Sequence, residues 1–297
     1  ADDTMVVYST SKNGKDWTEP QTLAPKWEKG IYTSGGWWSD GETIVAYINV
    51  WPEKFDETRG GFVHFKPSTA GINWSKPLPL LNNYGKPVMG IFEQDPHTLP
   101  DGRIISAVHE QPGLVIAPYF TDDPLGISGW TKGKMPNLPT KGTVSRELEP
   151  SWFYQKDGTV VMVFRDMDGS FRQLASKSKD RGATWSEPIL TNMPDSRSKQ
   201  SAGNLPDGTA FIVNNPSGKK SRIPLSSTIS NVGDFFDKAY LRPGGRKLQP
   251  KRFEGKYKNT GFSYPKSAIW GNYLYVGYAP NKEDVQLARV PLKSLSY

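Results

Sequence analysis

Five short segments of this chain end on an aromatic residue and recur at a near-constant interval. They are SKNGKDW, ending at Trp17, TAGINW at Trp74, GISGW at Trp130, SKDRGATW at Trp185 and SNVGDFF at Phe236, spaced 57, 56, 55 and 51 residues apart. A period of this length restricts the fold to arrays of one supersecondary unit. A second marker alternates with the first: a Gly turn leading into a β-rich run, as in SDGETIVAYI, PDGRIISAVHE, KDGTVVMVFRD, PDGTAFIVNN and IWGNYLYVGYA. Asp-Gly between β-rich runs predicts a hairpin. Almost no segment carries a long apolar stripe of period 3.6, so helices are not expected to build the core.

Each unit therefore reads as strand, Asp-Gly turn, strand, loop, strand, second turn, strand. That is a four-stranded antiparallel blade, and the fold class is an all-β propeller. Four units are complete, over roughly residues 31–90, 91–140, 141–195 and 196–250. Residues 1–25 supply the second half of a blade, and residues 261–297 the first half with a third strand. The expectation is a single propeller domain over residues 1–297, with an incomplete N-terminal blade and six or seven blades in the intact ring. In SKDRGATW, Asp180 can accept backbone N–H bonds, Gly182 permits positive φ and Trp185 packs as an apolar anchor. These needs are structural. The turn is expected between the two outer strands, so chemistry is sought on the inner strands and their loops.

The sequence has 37 Lys and Arg against 30 Asp and Glu, a formal charge of +7. A basic balance favours an anionic partner (nucleic acid, anionic lipid or an acidic poly- or oligosaccharide), although the basic residues read as spread along the chain and a merely basic surface fits as well. No nucleic-acid motif and no phosphate-cradling Gly loop accompany the charge, so nucleic acid is not expected. No apolar run nears the ~18 residues that cross a bilayer, so membrane insertion is not expected. With no cysteine, disulfides, thiolate metal sites and a Cys nucleophile are excluded. No His/Asp spacing predicts zinc. No cofactor is required; a structural Ca²⁺ is compatible with a propeller channel, but nothing locates its ligands. The N-terminal ADDTMVVYST has neither a basic nor an apolar leader region, which fits the mature form of a secreted or periplasmic protein.

The repeated turns resemble the Asp boxes (BNR repeats) of the sialidase-like superfamily. ELEPSWFYQKDGTVVMVFRD resembles the sialidase segment in which Glu-Pro-Ser precedes an Arg on the next strand, here Glu149 and Arg165. SAGNLPDGTAFIVNNPSGKKSRIPLSSTIS resembles the segment with a further Arg, here Arg222. GFSYPKSAIWGNYLYVGYA resembles the last segment, whose Tyr is here Tyr264. The resemblance implies carboxylate binding by the arginines and a Glu–Tyr nucleophile pair. Two sialidase features have no match: an early Arg in a Phe/Tyr-Arg-Ile-Pro motif, and an early acidic general acid. EQDPHTLPDGRIISAVHEQPG, with SRELEPSW, PDSRSKQSAGNLPDGTAF and SYPKSAIW, is similar to propellers acting on rhamnose–glucuronate linkages: rhamnosyl-glucuronate lyases, ulvan lyases and a related rhamnosidase group. That similarity implies acid–base roles for His109, His97 and Tyr264, and neutralisation of a uronate by Arg165 and Arg222.

The leading expectation is a polysaccharide lyase. β-Elimination removes the C5 proton of a uronate; Arg forks stabilise the enolate-like state and a neutral His takes the proton near its ordinary pKa of ~6.5. The alternative is a sialidase or other retaining glycoside hydrolase using Tyr264 and Glu149, and the second alternative is a non-catalytic glycan-binding propeller. Each residue also has a structural reading. Arg165 ends an apolar strand and can pair with Asp166 or Glu149. Arg222 can be a solvated loop residue, and Glu149 and Arg146 can pair with each other. Tyr264 can be core. Lys266 is a supporting candidate for an anionic sugar. His64 lacks such context, and Trp37, Trp38, Trp51 and Trp152 can be fold anchors or sugar platforms.

Overall fold

The computed structural model describes residues 4–52, 61–111, 113–139, 142–242, 248–255 and 258–295. Those residues form antiparallel sheets and one short 3₁₀ turn, Leu292–Ser294. Five sheets have three or more strands, numbered here as blades 1 to 5. Blade 1 is Ile31–Ser39, Ile44–Trp51, Phe62–Ser68 and Leu78–Pro79. In blade 2 the first position is split: Ile91–Phe92 and His97–Thr98 both pair with Ile104–Glu110, followed by Val115–Thr121 and Thr131–Lys132. Blade 3 is Glu147–Tyr154, Val160–Asp166, Arg172–Ser178 and Ile189–Pro194. Blade 4 is Ser201–Asn204, Ala210–Asn214, Leu225–Ser230 and Lys238–Arg242. Blade 5 has three strands, Phe262–Trp270, Tyr273–Pro280 and Gln286–Pro291.

The expected six or seven blades are corrected to five among the described residues. The remaining pair, Val6–Tyr8 with Gln21–Ala24, is a sheet of two strands only. Its connecting turn is the SKNGKDW repeat, so it corresponds to the outer half of a blade. Trp17 closes that turn and is 51% exposed, although Val6, Leu23 and Ala24 of the same pair are buried against Ala46 and Ile48. In blades 2 and 3 the anchor is buried, Trp130 at 0% and Trp185 at 6% exposed, while Trp74 of blade 1 and Phe236 of blade 4 are half-buried.

The turns explain why these residues form blades. Asp40, Asp101, Asp157 and Asp207 stand between the first two strands of blades 1 to 4. Their carboxylates accept the backbone N–H of Glu42, Arg103, Thr159 and Thr209 respectively. The following Gly41, Gly102, Gly158 and Gly208 have φ of 99, 92, 84 and 87°. Such side-chain-to-backbone bonds close a tight turn that no β-branched residue would tolerate. The outer turns use the same chemistry: Asn13 accepts from the amides of Lys15 and Asp16, and the Ser178 hydroxyl donates to Asp180.

The chain divides into two compact units. Unit 1 holds residues 1–135, 139–145 and 182–184; unit 2 holds 136–138, 146–181 and 185–297. In unit 1, Val45, Tyr47, Val63 and Phe65 of blade 1 pack with Phe92, Ile104 and Val108 of blade 2 and with Trp130. In unit 2, Phe153, Val161 and Val163 of blade 3 pack with Ala202, Ala210 and Ile212 of blade 4, and Phe211, Val213 and Ile229 of blade 4 pack with Phe262, Leu274 and Val276 of blade 5. Full burial of each large side chain contributes about 1.5–3 kcal/mol. Trp152 (1%), Trp51 (4%) and Trp38 (7%) belong to this interior and are not open to a sugar ring.

Candidate functional site

Unit 2 contains Glu149, Arg165, Arg222 and Tyr264. Glu149 lies on the first strand of blade 3, where the pairing jumps from Leu148↔Arg165 to Ser151↔Val163. Tyr264 lies on the first strand of blade 5, where it jumps from Ser263↔Ala279 to Lys266↔Gly277. Each jump skips a residue and the proline after it. Glu149 has φ 52° and Tyr264 φ 54°. A left-handed backbone costs a non-glycine residue on the order of 1–3 kcal/mol, and such strain collects at functional positions. A bulge of this kind re-aims one side chain out of the alternating pattern. The same device thus aims a carboxylate from blade 3 and a phenol from blade 5.

Gln200, fully buried, supports the first bulge: its side-chain amide donates to the carbonyls of Glu149 (2.8 Å) and Val163 (2.9 Å). At the same end of blade 4, the Asn215 amide donates to the carbonyls of Arg222 (3.0 Å) and Phe262 (3.1 Å), and the Phe262 N–H donates to the Arg222 carbonyl (3.0 Å). These bonds fix the loop carrying Arg222 against the strand carrying Tyr264.

The Arg165 Nη1 donates to Glu149 Oε2 at 3.0 Å, and its buried Nε meets no hydrogen-bond partner. Burial would lower the Arg165 pKa, but Glu149, with smaller contributions from Tyr264 and Asp195, raises it. Arg222, 8% exposed, donates to the Ser263 hydroxyl at 2.6 Å and places its guanidinium 4.9 Å from the centre of the Tyr264 ring. The Lys282 ammonium stands 4.6 Å from the same centre. Each of the two cations is attracted to the face of this one phenol ring, which holds the ring still.

Arg146 is assigned elsewhere. It does not pair with Glu149; it binds Asp166 through Nε (2.9 Å) and Nη2 (3.0 Å). Burial pushes the Asp166 carboxyl up, and the Arg146 fork, aided by Ser170 and the Asp168 amide, more than reverses this, to about 2. Lys266 follows the Tyr264 bulge, opposite Gly277, and is half-buried.

Sequence reasoning missed Asp195, Gln200 and their neighbours. Residues 195–200, Asp-Ser-Arg-Ser-Lys-Gln, are all polar, yet five of the six are buried. Asp195 is fully buried and accepts the Ser198 N–H through Oδ2, while Oδ1 has no partner. Burial raises its pKa to about 6 against the opposing pull of the Ser198, Ser196 and Arg197 amides. The available signal was compositional: six polar residues between two β-rich runs, too long for a two-residue hairpin.

The histidines lie in unit 1. His109 is 2% exposed in the central strand of blade 2, opposite Ile91 and Ile116. His97 pairs with Ile105, four residues from His109 along the same strand. That register separates the two backbones by roughly 13 Å, so the structure does not bring His97 and His109 together. Among the described residues no group of three or more His, Asp and Glu side chains could hold a metal ion.

A profile of the BNR repeat-like domain family matches residues 1–276. The chain belongs to the BNR repeat-like domain family. No curated protein sequence matches this BNR repeat-like chain. Among solved structures it is similar to a protein of unknown function from Dyadobacter fermentans (17% identity, TM-score 0.69), covering 96% of this chain and 82% of that one. The Hadza microbial sialidase Hz136 gives 13% identity and TM-score 0.73, over 98% of this chain but 60% of that one. An intramolecular trans-sialidase from Ruminococcus gnavus, in complex with oseltamivir carboxylate, gives 13% and 0.71, over 99% and 89%. At these identities the likeness establishes the fold: a sialidase-like β-propeller. It does not single out the rhamnosyl-glucuronate lyase group among BNR repeat-like proteins.

Proposed function

We propose that the protein is a retaining glycosidase that releases a terminal sugar bearing a carboxylate. The observation that carries this reading is the pair of matched bulges, Glu149-Pro150 and Tyr264-Pro265, with one arginine on each: Arg165 on Glu149 and Arg222 on Tyr264. Arg165 and Arg222 bind the sugar carboxylate by charge-assisted bonds. The Tyr264 phenol attacks the anomeric carbon, Glu149 takes its proton, and the aglycone oxygen leaves with a proton from an acid or from water. Water then attacks the anomeric carbon of the glycosyl-tyrosine, Glu149 returns its proton to the departing phenol oxygen, and the base left by the first step takes the proton of the attacking water, which frees the sugar with its configuration retained. A phenol, unlike a carboxylate nucleophile, does not bring a second full negative charge up to an anionic sugar, and the Arg222 and Lys282 cations stand against its ring.

An aryl sialoside tests this, because its leaving group needs little acid assistance. Tyr264→Phe should lower kcat by at least about 1000-fold, the scale of losing a covalent nucleophile. His109→Ala should cost less than about threefold. The opposite pattern, with absorbance near ~235 nm growing on a rhamnose–glucuronate polymer, would replace hydrolysis with elimination.

A further inference from the structure

The formal charge of +7 is not shared evenly. Unit 2 carries 24 Lys and Arg against 14 Asp and Glu, a net +10; unit 1 carries 13 against 16, a net −3. The sequence reading of a dispersed charge is therefore corrected: all of the excess belongs to the unit that holds Tyr264. A single sugar carboxylate is matched by Arg165 and Arg222 and leaves this excess without a counterpart.

Within that unit, Ser217–Ser221 is a short, internally bonded loop. The Ser217 hydroxyl donates to the carbonyls of Lys219 (2.7 Å) and Ser221 (2.8 Å), and the Ser221 N–H donates to the Lys219 carbonyl (2.6 Å). Lys219 and Lys220 are exposed, and neither has an ion-pair partner among the described residues. Arg222 follows directly, anchored by Asn215 and Phe262 and lying on the Tyr264 ring. Chain length alone puts the Lys220 and Lys219 backbones within about 7 and 11 Å of Arg222. A neighbouring sugar of the same glycan spans such a distance.

We propose that the Ser217–Ser221 loop is a second anionic subsite, so that the glycan bound at Tyr264 carries charge on consecutive sugars. This rests on the proposed glycosidase reading and names its substrate class: a linear polyanionic glycan with a carboxylate on the sugar next to the one released. The lysines act as point charges on flexible stems, which suits a neighbour whose orientation varies. Their exposure makes the contact sensitive to salt.

The test uses two substrates, an aryl sialoside with one carboxylate and polysialic acid with one per sugar. In Lys219→Glu/Lys220→Glu protein, the ratio of kcat/KM for the polymer to that for the aryl sialoside should fall by about tenfold at 50 mM salt, and the gap should shrink by 500 mM as screening removes it. An unchanged ratio overturns the subsite. Absence of turnover with both substrates in the unaltered protein defeats the glycosidase reading instead. Binding of fluorescent polysialic acid then decides the subsite: about tenfold weakening in the double variant supports it, and no weakening overturns it. Equal affinity for a DNA duplex or for phosphatidylserine vesicles, lost in the same variant, would make the loop a general polyanion contact and overturn the glycan assignment.

Discussion

At the scale of single residues, the candidate site depends on groups that touch neither Glu149 nor Tyr264 by sequence. Gln200 supplies both donors to the carbonyls that the blade 3 bulge would leave open. Gln200→Met keeps the volume and removes them, leaving two buried acceptors at a cost of about 2 kcal/mol. We expect kcat to fall about tenfold or more, with KM for an aryl sialoside changed by less than about threefold, because Arg222 is untouched. Gln200→Glu should regain activity on acidification, since the protonated acid restores one donor; a purely structural role would show no such pH-dependent recovery. Asp195 offers a second check. Its folded pKa is raised from 3.8 to about 6 by burial. Between roughly pH 4 and 6 the folded protein keeps a proton that the unfolded chain has lost, so this group makes stability fall as pH rises through that window. Asp195→Asn should flatten that fall in urea unfolding measured at pH 4, 5 and 6. Asp166 acts in the opposite sense: held at about 2, it contributes stability above pH ~4 that is lost as pH drops.

At the scale of strands and turns, the blades are legible because their signals are local. Asp157-Gly158 needs only its own backbone to make a turn, and the structure places it between the first two strands of blade 3. The bulges are not legible, because a residue before proline is biased toward extended conformations and Glu149 and Tyr264 adopt neither that nor a helical one. Their conformation is imposed by neighbours such as Gln200, 51 positions away in sequence. Resemblance supplied Glu149, Arg165, Arg222 and Tyr264; chemistry alone would have paired Arg146 with the nearby Glu149 and missed Asp166, which faces it across the sheet. The segment before blade 5 gives a testable case of such long-range support. Glu283 accepts the N–H groups of Arg252 (3.0 Å) and Phe253 (2.8 Å) and the Lys258 ammonium (2.7 Å). The Lys258 bond comes first among the causes that hold the Glu283 carboxyl at about 2. Glu283→Ala should release residues 251–255, and brief trypsin treatment should then cut after Lys251 or Arg252 at least about tenfold faster than in the unaltered protein. Equal rates would mean that other contacts hold the segment.

At the scale of the whole molecule, length, period and turn chemistry specify a propeller of four-stranded blades, while blade number escapes them. Counting repeats reads residues 1–25 as half a blade, and Val6–Tyr8 with Gln21–Ala24 is a sheet of two strands, but the count does not say how many blades the chain completes. Charge is likewise visible only in total until the two units are separated. With +10 in the unit that holds Tyr264, association with a polyanionic glycan should be steered over long range. Stopped-flow measurement should find the association rate falling by about tenfold or more between 20 and 500 mM salt, with the dissociation rate changing far less. A salt-independent rate would show that the excess charge faces away from the path of approach.

The Asp-Gly turns carry a consequence for the lifetime of the protein. Asp-Gly is also, among aspartyl dipeptides, the one most prone to close into a succinimide and reopen as isoaspartate, which lengthens the main chain by one atom. Asp40, Asp157 and Asp207 have their carboxylates engaged by amides farther along the turn. Folding thus shields these positions from their own chemistry. Isoaspartate appearing there in stored protein would serve as a clock, recording how long each turn has spent undone.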